Sequence, residues 1–378
     1  MDELIERFEP ALQVAARQAQ WAEDHCRLAD ATVDALLAAG VARLYLPRTL
    51  GGLEADPVTC AAITERLAYA DPAAAWFVMV ANSAKLAAAA WPEALVRELF
   101  EKDPDVVIAA SGNRPFAARP EKDGFVVTGV NGFVSGCHHA RWLLSPARVG
   151  DELRSVILPM AECSIVDNWD PLGMRGTGSN DVRADDVWVP GHRAVRMPEP
   201  GRNARNACYE GALYRCPGRI VFATYVPVAL ALAARALDAL DALAEGKTPY
   251  AEARKLKHRS VAQIKSGRAL ATYRAARGLF LEALGEAWQR ACLGDEATPE
   301  QKADLYLAGT HAVQSSALVV RWAADAAGSS VIYRDGPLER IVRDMETLRH
   351  HGFVNESRYG SVAQLRWGAA LDYPLMLR

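Results

Sequence analysis

Residues 171–182 of this 378-residue chain read Pro-Leu-Gly-Met-Arg-Gly-Thr-Gly-Ser-Asn-Asp-Val. The glycines follow a G-x-x-G-x-G order, whereas a dinucleotide-binding turn needs G-x-G-x-x-G at the start of a helix. Trp169 and Asp170 precede the segment and a strand-like run at 187–189 follows it, so no helix offers its N-terminus to a pyrophosphate. The segment therefore predicts a glycine-rich loop between strands, either a plain β-turn or a loop whose backbone approaches a flat ligand.

Short strand-like runs surround this loop. β-Branched and aromatic residues cluster at 125–128, 142–144, 155–158 and 187–189, and Gly, Asp and Pro separate them at hairpin-like distances. This pattern is typical of a small barrel or sandwich.

Helical patterns flank the strands on both sides. The chain before them is rich in Ala, Leu and Glu at helical spacing, and three later stretches, 229–243, 261–288 and 300–327, are long enough for bundle helices. The sequence therefore predicts an α+β fold that is mostly α. Its predicted domains are N-terminal helical (1–107), middle β (108–215) and C-terminal helical (216–378).

The composition argues against several classes of protein. Lys plus Arg is 43 and Asp plus Glu is 46, a net charge of −3, which lacks the basic surface that nucleic acid requires. Residues 1–7 are acidic, unlike a signal peptide, and the apolar stretches 73–81 and 221–234 are shorter than the ~20 residues of a membrane span. Seven scattered cysteines indicate reduced thiols. We expect a cytoplasmic protein without a membrane or nucleic-acid partner.

A second glycine-flanked segment, 132–140, reads Gly-Phe-Val-Ser-Gly-Cys-His-His-Ala. On a strand, Phe133 and Ser135 share one face, so an aromatic ring and a hydroxyl address the same pocket. An edge strand with a capping serine explains this pattern equally. The adjacent histidines 138 and 139 diverge on a strand and have no further ligand at metal-binding spacing, so no metal site is expected.

Another histidine pair, His350 and His351, ends the charged segment 340–352. If this segment is a helix that stops at Gly352, the two rings diverge by ~100° and only one of them faces a given cleft. A histidine near a helix end more often interacts with the helix dipole than acts in catalysis. Composition alone therefore assigns neither histidine a role.

Five segments, in this order, resemble the acyl-CoA dehydrogenase superfamily, and more specifically its two-component (group D) flavin-dependent monooxygenase branch. They are 46–52 with its Leu-Pro and Gly-Gly pairs, 71–76 (D-P-A-A-A-W), 132–142 (G-F-V-S-G-C-H-H-A-R-W), 171–182, and 337–344 (P-L-E-R-I-V-R-D) followed by His351. The similarity runs from about residue 20 to the C-terminus. It implies a helical N-terminal lobe, a middle β-barrel and a C-terminal four-helix bundle, in a homotetramer with flavin at the subunit contacts.

The resemblance also implies where FAD or FMN contacts the chain. Phe133 would lie against the isoalloxazine, and the Ser135 hydroxyl would hold flavin N5 or O4. The remaining implied contacts are Gly136, Met174, Arg175, Thr177, Ser179, Gly328 and Ser329. Trp76, Met79 and Asn82 stand on the helix expected to face the flavin and are candidate substrate-pocket residues, although core packing explains each of them equally.

The two branches of the superfamily differ at one chemically necessary residue. A dehydrogenase removes a proton α to a thioester with a glutamate beside the flavin. The two family positions for that glutamate fall here on Gly352 and, in a looser alignment, on Gly218, and glycine cannot accept a proton. His351 falls where the oxygenase branch carries its active-site histidine. With a reference pKa near ~6.5, imidazole can hydrogen-bond a flavin C4a-hydroperoxide and exchange protons with a substrate.

The function implied is a monooxygenase that takes reduced FAD or FMN from a separate flavin reductase. It would use O2, through a C4a-hydroperoxyflavin, to oxygenate a small substrate at an aromatic, amine or sulfur centre, with His351 and Ser135 as the catalytic residues. No nicotinamide site is evident, which is consistent with an external reductase. Two alternatives stay open: an acyl-CoA dehydrogenase that uses another carboxylate, Glu210 being the nearest candidate, and a non-catalytic relative that only binds flavin.

Overall fold

The computed structural model describes residues 2–196 and 206–377. Helices form the first hundred residues of the chain and the part after residue 206, and strands lie between them, as the sequence predicts. The N-terminal helices are α1 (Asp2–Arg7), α2 (Glu9–His25), α3 (Asp30–Ala38), α4 (Pro57–Ala70), α5 (Pro72–Ala87) and α6 (Glu93–Phe100).

Helices α4 and α5 begin where aspartate–proline pairs predict them. The Asp56 carboxylate accepts the Thr59 N–H at 2.8 Å, and the Asp71 carboxylate accepts the Ala73 N–H at 3.1 Å. Proline follows each aspartate at the first helical position, where a missing N–H costs no hydrogen bond. These caps determine the start of α5, the helix that carries Trp76.

The strands form one eight-stranded sheet in the middle of the chain. They are β1 (Ile108–Ala110), β2 (Phe116–Glu121), β3 (Gly124–Val134), β4 (Trp142–Val149), β5 (Glu152–Pro159), β6 (Ser164–Val166), β7 (Asn180–Pro190) and β8 (Ala194–Arg196). Their order is β6-β7-β3-β2-β4-β5-β8, and β1 pairs with β4. Strands β3 and β7 are antiparallel, and their register shifts between Asn131 and Val134. This shift lies immediately before Ser135.

The C-terminal helices include the three long ones that the sequence predicts. They are α7 (Val226–Gly246), α8 (Ser260–Leu293) and α9 (Pro299–Ala327), and two shorter helices follow, α10 (Glu339–Leu348) and α11 (Ser357–Arg366). Helix α9 packs between α7 and α8, and α10 and α11 lie against it. The predicted acyl-CoA dehydrogenase-like arrangement of helices, sheet and helices is confirmed.

Two helices of the described chain are long and apolar enough to cross a membrane, Pro72–Ala90 and Gly218–Gly246. Both are longer than the apolar stretches counted from the sequence. However, 67% and 89% of their most apolar windows are buried inside the protein. They are the expected core helices of a folded domain, since burial accounts for their hydropathy.

The apolar core continues from one helical domain into the other. Side chains of α4, α5, α7 and α9 form one cluster, and the sheet has a smaller cluster of its own. Cys208, Tyr209, Leu213 and Tyr214 belong to the helical cluster, although they lie inside the predicted middle domain. The site described below lies where α5, the sheet and α10 meet.

Candidate active site

A chain of buried hydroxyl groups lies where the end of β3 meets the glycine-rich loop. Ser135 Oγ accepts a hydrogen bond from Trp76 Nε1 at 3.1 Å and lies 2.7 Å from Ser179 Oγ, which in turn lies 2.8 Å from Thr177 Oγ1. The backbone N–H of Gly136 donates to the Thr177 carbonyl at 3.0 Å. Segment 132–140 and the glycine-rich loop 171–182 are therefore hydrogen-bonded to each other.

Phe133 does not share a face with Ser135, contrary to the strand alternation predicted from the sequence. Strand β3 ends at Val134 beside the register shift, and Phe133 adopts a left-handed backbone with a φ of 59°. Its ring is therefore 64% exposed while Ser135 is buried, and it meets the Trp169 ring edge-on with centroids 5.9 Å apart. A non-glycine residue held at positive φ is strained, and such strain is concentrated at functional sites.

Helix α10 holds the glycine-rich loop in place. Met174 also has a left-handed φ of 54°, and its N–H donates to Asp344 Oδ1 at 2.6 Å. A Cβ on Gly173 would lie 2.2 Å from the carbonyl of Arg343, so only glycine lets the loop approach the helix this closely. Burial raises the pKa of Asp344, and the Arg340 guanidinium 3.4 Å away opposes that rise.

The segment 337–344, quoted above only as part of the resemblance, forms an ion-pair cluster. Arg340 lies 3.4 Å from both Glu23 and Asp71, and Arg343 lies 2.6 Å from Glu23. Burial raises the pKa of Asp71 to about 6, although Arg340 draws it down. The cluster joins α2 and the start of α5 to α10, and through Asp344 to the loop. No pattern in the sequence signals this role for the two arginines and Asp344, because their partners are distant along the chain.

The Arg175 side chain also holds the loop. Its guanidinium donates to the Asp170 carboxylate, to the Pro171 carbonyl at 3.2 Å and to the Glu23 carbonyl at 3.0 Å. Trp169 Nε1 donates to the backbone carbonyl of Arg175 at 3.1 Å. A contact between Arg175 and a flavin stays a prediction, and in this chain its guanidinium fixes the loop to α2.

Helix α10 ends at Leu348, so the prediction of a helix up to Gly352 is wrong. The Leu348 carbonyl accepts the Tyr225 hydroxyl at 3.3 Å and the His351 N–H at 3.1 Å, and Gln314 Nε2 donates to the Arg349 carbonyl at 3.0 Å. Because these donors hydrogen-bond the carbonyls of Leu348 and Arg349, the chain leaves the helical path after Leu348. Both histidines lie in that turn.

The two histidine rings diverge, as the sequence predicts. His351 packs against three aromatic rings, with centroids 5.5 Å from Trp76, 5.2 Å from Tyr225 and 4.8 Å from Phe353. His350 is exposed and lies 3.3 Å from a Glu346 carboxylate oxygen. The structure therefore places His351, and not His350, against Trp76, the residue that hydrogen-bonds Ser135.

The His351 ring is neutral near pH 7. Burial, together with the nearby Arg219 charge, lowers the pKa of His351 to about 4, below the value of ~6.5 used in the sequence argument. Its Nδ1 accepts the Phe353 N–H at 3.3 Å, which assigns the ring proton to Nε2. His351 therefore offers an N–H donor from Nε2 and carries no positive charge.

The three candidate pocket residues on α5 have different surroundings. Trp76 contacts both Ser135 and His351, as described above. Asn82 is fully buried, and its amide bonds the backbone of Tyr45, Val41 and Val78 at 2.8–3.0 Å, so it braces the core. Met79 is partly buried and accepts a hydrogen bond from Ser83 Oγ. Its role in a pocket stays a prediction.

Gly328 and Ser329 lie apart from this cluster. They follow α9, and Gly328, with a φ of 61°, is next to Lys247, whose Nζ donates to the Ala327 carbonyl at 2.6 Å. Within residues 2–196 and 206–377, no hydrogen bond joins them to Ser135 or His351. Their contact with a flavin stays a prediction.

No glutamate occupies either family position for a catalytic base. Gly352 follows His351, and a Cβ there would meet no atom within 4 Å. The alternative carboxylate, Glu210, has an exposed side chain, and its carbonyl accepts a hydrogen bond from Arg215 at 3.1 Å. Among the described residues, no group of three or more His, Cys, Asp or Glu side chains could hold a metal ion.

Two cavities in the described part of the chain lie elsewhere. One cavity, of about 400 Å³, is lined by Leu4, Arg48 and Trp288, and another, of about 600 Å³, by Trp91, His192 and neighbouring residues. Neither is bordered by Ser135 or His351. Ser135 and His351 are packed closely against the Trp76 ring and leave no large opening between them. We therefore assign the site by the chemistry of its side chains.

The residues around Ser135 fit a flavin. The exposed Phe133 ring presents an apolar aromatic face two residues before Ser135, whose buried hydroxyl can donate to or accept from ring nitrogens and carbonyls. An apolar wall with a few fixed polar groups is the usual lining of a site for a flat heteroaromatic cofactor. Contact between the Phe133 ring and a bound flavin would offset the backbone strain at this residue.

Comparison with known protein families agrees with this geometry. The model of the acyl-CoA dehydrogenase N-terminal domain matches residues 10–91, and that of the C-terminal domain matches residues 223–356. The chain belongs to the acyl-CoA dehydrogenase family.

Its relatives in the acyl-CoA dehydrogenase family are flavin-dependent monooxygenases. The indole-3-acetate monooxygenase of Pseudomonas putida is 32% identical over 89% of this chain and 86% of its own length. The flavin-dependent monooxygenase oxygenase subunit HsaA of Rhodococcus jostii is 25% identical over 94% and 95%. XiaF from a Streptomyces species, solved with FADH2 and glycerol, has the same fold with a TM-score of 0.92 and 22% identity, covering 98% of this chain and 96% of XiaF.

Proposed function

We propose that this chain is the oxygenase component of a two-component flavin-dependent monooxygenase. It would take reduced FAD or FMN from a separate reductase and transfer one oxygen atom of O2 to a small aromatic substrate. The observation that carries the proposal is the position of the neutral His351 ring. It contacts the Trp76 indole, which hydrogen-bonds Ser135, and it precedes Gly352, where the resemblance places the base of a dehydrogenase. The relatives named as monooxygenases support the same reaction class.

A bound reduced flavin would supply the two electrons that activate O2, and O2 would supply the oxygen atom that is transferred. Ser135 is the residue that would hold it, with Phe133 against its face and the loop 174–179 at its edge. Trp76 fixes the Ser135 hydroxyl by donating to Oγ, and Ser179 lies close enough to exchange a hydrogen bond with the same oxygen. The Ser135 hydroxyl oxygen is therefore held by two hydrogen-bond contacts before any ligand binds.

His351 would act on the substrate side of the flavin. Its Nε2–H can donate to a substrate oxygen or to oxygen undergoing transfer, and its neutral state near pH 7 leaves the positive charge of the region on Arg219. Trp76, Tyr225 and Phe353 pack against the ring and reduce its contact with water. Exclusion of water strengthens each remaining hydrogen bond and limits hydrolytic loss of reactive species.

The proposal includes assembly into a homotetramer in the cytoplasm. Helix α8 exposes several large apolar side chains that another copy could cover, namely Val261, Ile264, Leu270, Leu279 and Leu293. Tyr333 and Ile332, just after Gly328 and Ser329, are exposed as well. The cysteines at 26, 60, 137, 163, 208 and 292 are free thiols, which suits a reducing compartment. Light scattering of the purified protein tests the tetramer.

The experiment for the proposed activity supplies reduced flavin chemically, so that no reductase is needed. The protein is mixed with reduced FAD or FMN, O2 and indole-3-acetate, the compound in the name of the Pseudomonas putida relative. We expect an oxygenated product and no oxidation of NADH by this chain alone. Anaerobic bleaching of bound oxidised FAD by an acyl-CoA, without an O2-dependent product, would support a dehydrogenase instead.

A further inference from the structure

Two arginines that form no ion pair with a described carboxylate lie close to each other near His351. Arg219 follows Gly218, just before α7, and Arg358 stands in the first turn of α11. The hydrogen bonds of Arg219 go to the Tyr373 hydroxyl at 3.4 Å and the Leu375 carbonyl at 3.3 Å, and that of Arg358 goes to Ser357 Oγ at 2.9 Å. All of these partners are uncharged.

Both guanidinium groups lie on aromatic faces. The Arg219 guanidinium carbon is 4.5 Å from the Phe353 ring centroid and 5.5 Å from that of Tyr306, and the Arg358 carbon is 4.1 Å from that of Tyr373. Aromatic faces attract cations but leave the N–H groups at the edge of the guanidinium free to donate. The two arginines therefore lie in one cluster with the rings of Tyr306, Phe353 and Tyr373, which we call the box.

Polar atoms inside this box have no hydrogen-bond partner. Among the described residues they are Arg219 Nε and Arg358 Nε and Nη1, all buried. Leaving a buried charged donor unpaired costs more than leaving a neutral one, so native proteins rarely do so without a reason. Within residues 2–196 and 206–377, no carboxylate lies within ion-pair distance of either guanidinium. The vacant donors match a planar carboxylate, which guanidinium groups bind through paired N–H bonds.

The box adjoins the candidate active site through one ring. Phe353 contacts both the Arg219 guanidinium and the His351 imidazole, whose centroid is 4.8 Å away. We propose that Arg219 and Arg358 bind the carboxylate of an aromatic acid whose ring lies beside His351. This inference rests on the proposed function for the reaction, and it adds the substrate class and two specificity residues. Neutral phenols, amines and sulfides would then be poorer substrates than an arylalkanoate.

Equilibrium binding separates this inference from the reaction. Calorimetry compares indole-3-acetate with indole-3-acetamide, which has nearly the same shape and no charge, on the flavin-free protein and with oxidised flavin added. A charge-assisted hydrogen bond stabilises by about 1.5–3 kcal/mol, so we expect the acid to bind about 10- to 100-fold more tightly than the amide. Arg219→Gln and Arg358→Gln should each reduce that ratio at least about 5-fold.

Arg366→Gln is the matched control, because Arg366 is exposed at the other end of α11. It should keep the acid-to-amide ratio of the unmodified protein. Circular dichroism and light scattering show whether each variant folds and assembles. Arg219→Lys, which keeps the charge but not the planar fork, should retain part of the preference.

Three outcomes separate the two claims. Equal binding of acid and amide, or a preference that survives both arginine variants, overturns the inference even if product forms. A preference lost in both variants supports it, and if O2-dependent product is nevertheless absent, only the proposed oxygenase reaction fails. Variants that weaken assembly without changing the ratio would mean that the arginines pair with a carboxylate of another copy, which overturns the inference as well.

Discussion

Trp76 Nε1 donates a hydrogen bond to Ser135 Oγ at 3.1 Å. Trp76 stands on α5 and Ser135 directly follows β3, so this bond joins the N-terminal helices to the sheet. The same indole meets the His351 ring edge-on, with centroids 5.5 Å apart. One side chain therefore sets the relative position of the two residues to which we assign the chemistry.

Replacing Ser135 with alanine should reduce the yield of oxygenated product per reduced flavin consumed. The variant removes the proposed flavin contact and leaves Trp76 Nε1 without its acceptor, a loss of about 1–3 kcal/mol for a buried donor. We expect the yield to fall at least several-fold and the released H2O2 to rise. Thr64→Val is the matched control, because it removes a buried hydroxyl that bonds within α4. A normal yield in Ser135→Ala would remove this serine from the site.

His351→Ala should lose roughly 10²- to 10⁴-fold in product formation, the range for loss of a positioned proton donor or acceptor. His350→Ala should lose little, because that ring is exposed. Since His351 packs against three rings, its alanine variant also leaves a cavity and should lose about 1–3 kcal/mol of stability. His351→Gln fills more of the space and retains an N–H donor, and urea unfolding of each variant is the folding control.

If His350→Ala were inactive and His351→Ala active, the family register would be wrong by one residue. Gly352 would then no longer fall at the family position of the dehydrogenase base.

The pH dependence of stability tests the neutral state of His351. The pKa of His351 is lowered to about 4, so between about pH 6.5 and pH 4 the unfolded chain binds a proton that the folded ring does not. The contribution of His351 is therefore complete above about pH 6.5 and is lost as the pH falls toward 4. Urea unfolding of the unmodified protein and of His351→Gln should show a difference that shrinks over this range. A constant difference would contradict a neutral buried ring.

Gly173→Ala should destabilise the protein and weaken flavin binding. The added Cβ would lie 2.2 Å from the Arg343 carbonyl, so the loop or α10 must move, at a cost of about 2 kcal/mol or more. Gly267→Ala is the control. Gly267 lies inside α8 with no atom within 4 Å of the added Cβ, and alanine there should stabilise by about 0.5–1 kcal/mol. Equal unfolding midpoints for the two variants would contradict the tight loop–helix contact.

Most of the fold could be predicted from the sequence because its signals are local. Aspartate–proline pairs predict the starts of α4 and α5, and apolar periodicity predicts α7, α8 and α9. The end of α10 could not be predicted, because the carbonyls of Leu348 and Arg349 bond to Tyr225 and Gln314, which are distant in the sequence. The same holds for Phe133, whose exposure depends on the register between β3 and β7.

The candidate site was predictable only in part. Ser135 and His351 were singled out through the resemblance, and the structure brings both to Trp76. The lowered pKa of His351 depends on burial and on Arg219, neither of which a sequence pattern shows. Arg358 was missed, because an arginine in a short helix has no signal until Tyr373 and Arg219 are seen beside it.

Isotope labelling with ¹⁸O2 tests the central claim most directly. The protein is loaded anaerobically with reduced FAD or FMN, mixed with ¹⁸O2 and a panel of an aryl acid, a phenol, an amine and a sulfide, and the products are examined by mass spectrometry. The account predicts one ¹⁸O atom in a product, with the aryl acid the best substrate, and strong loss of that product in His351→Ala. No labelled product from any compound, together with anaerobic bleaching of bound FAD by an acyl-CoA, would contradict it.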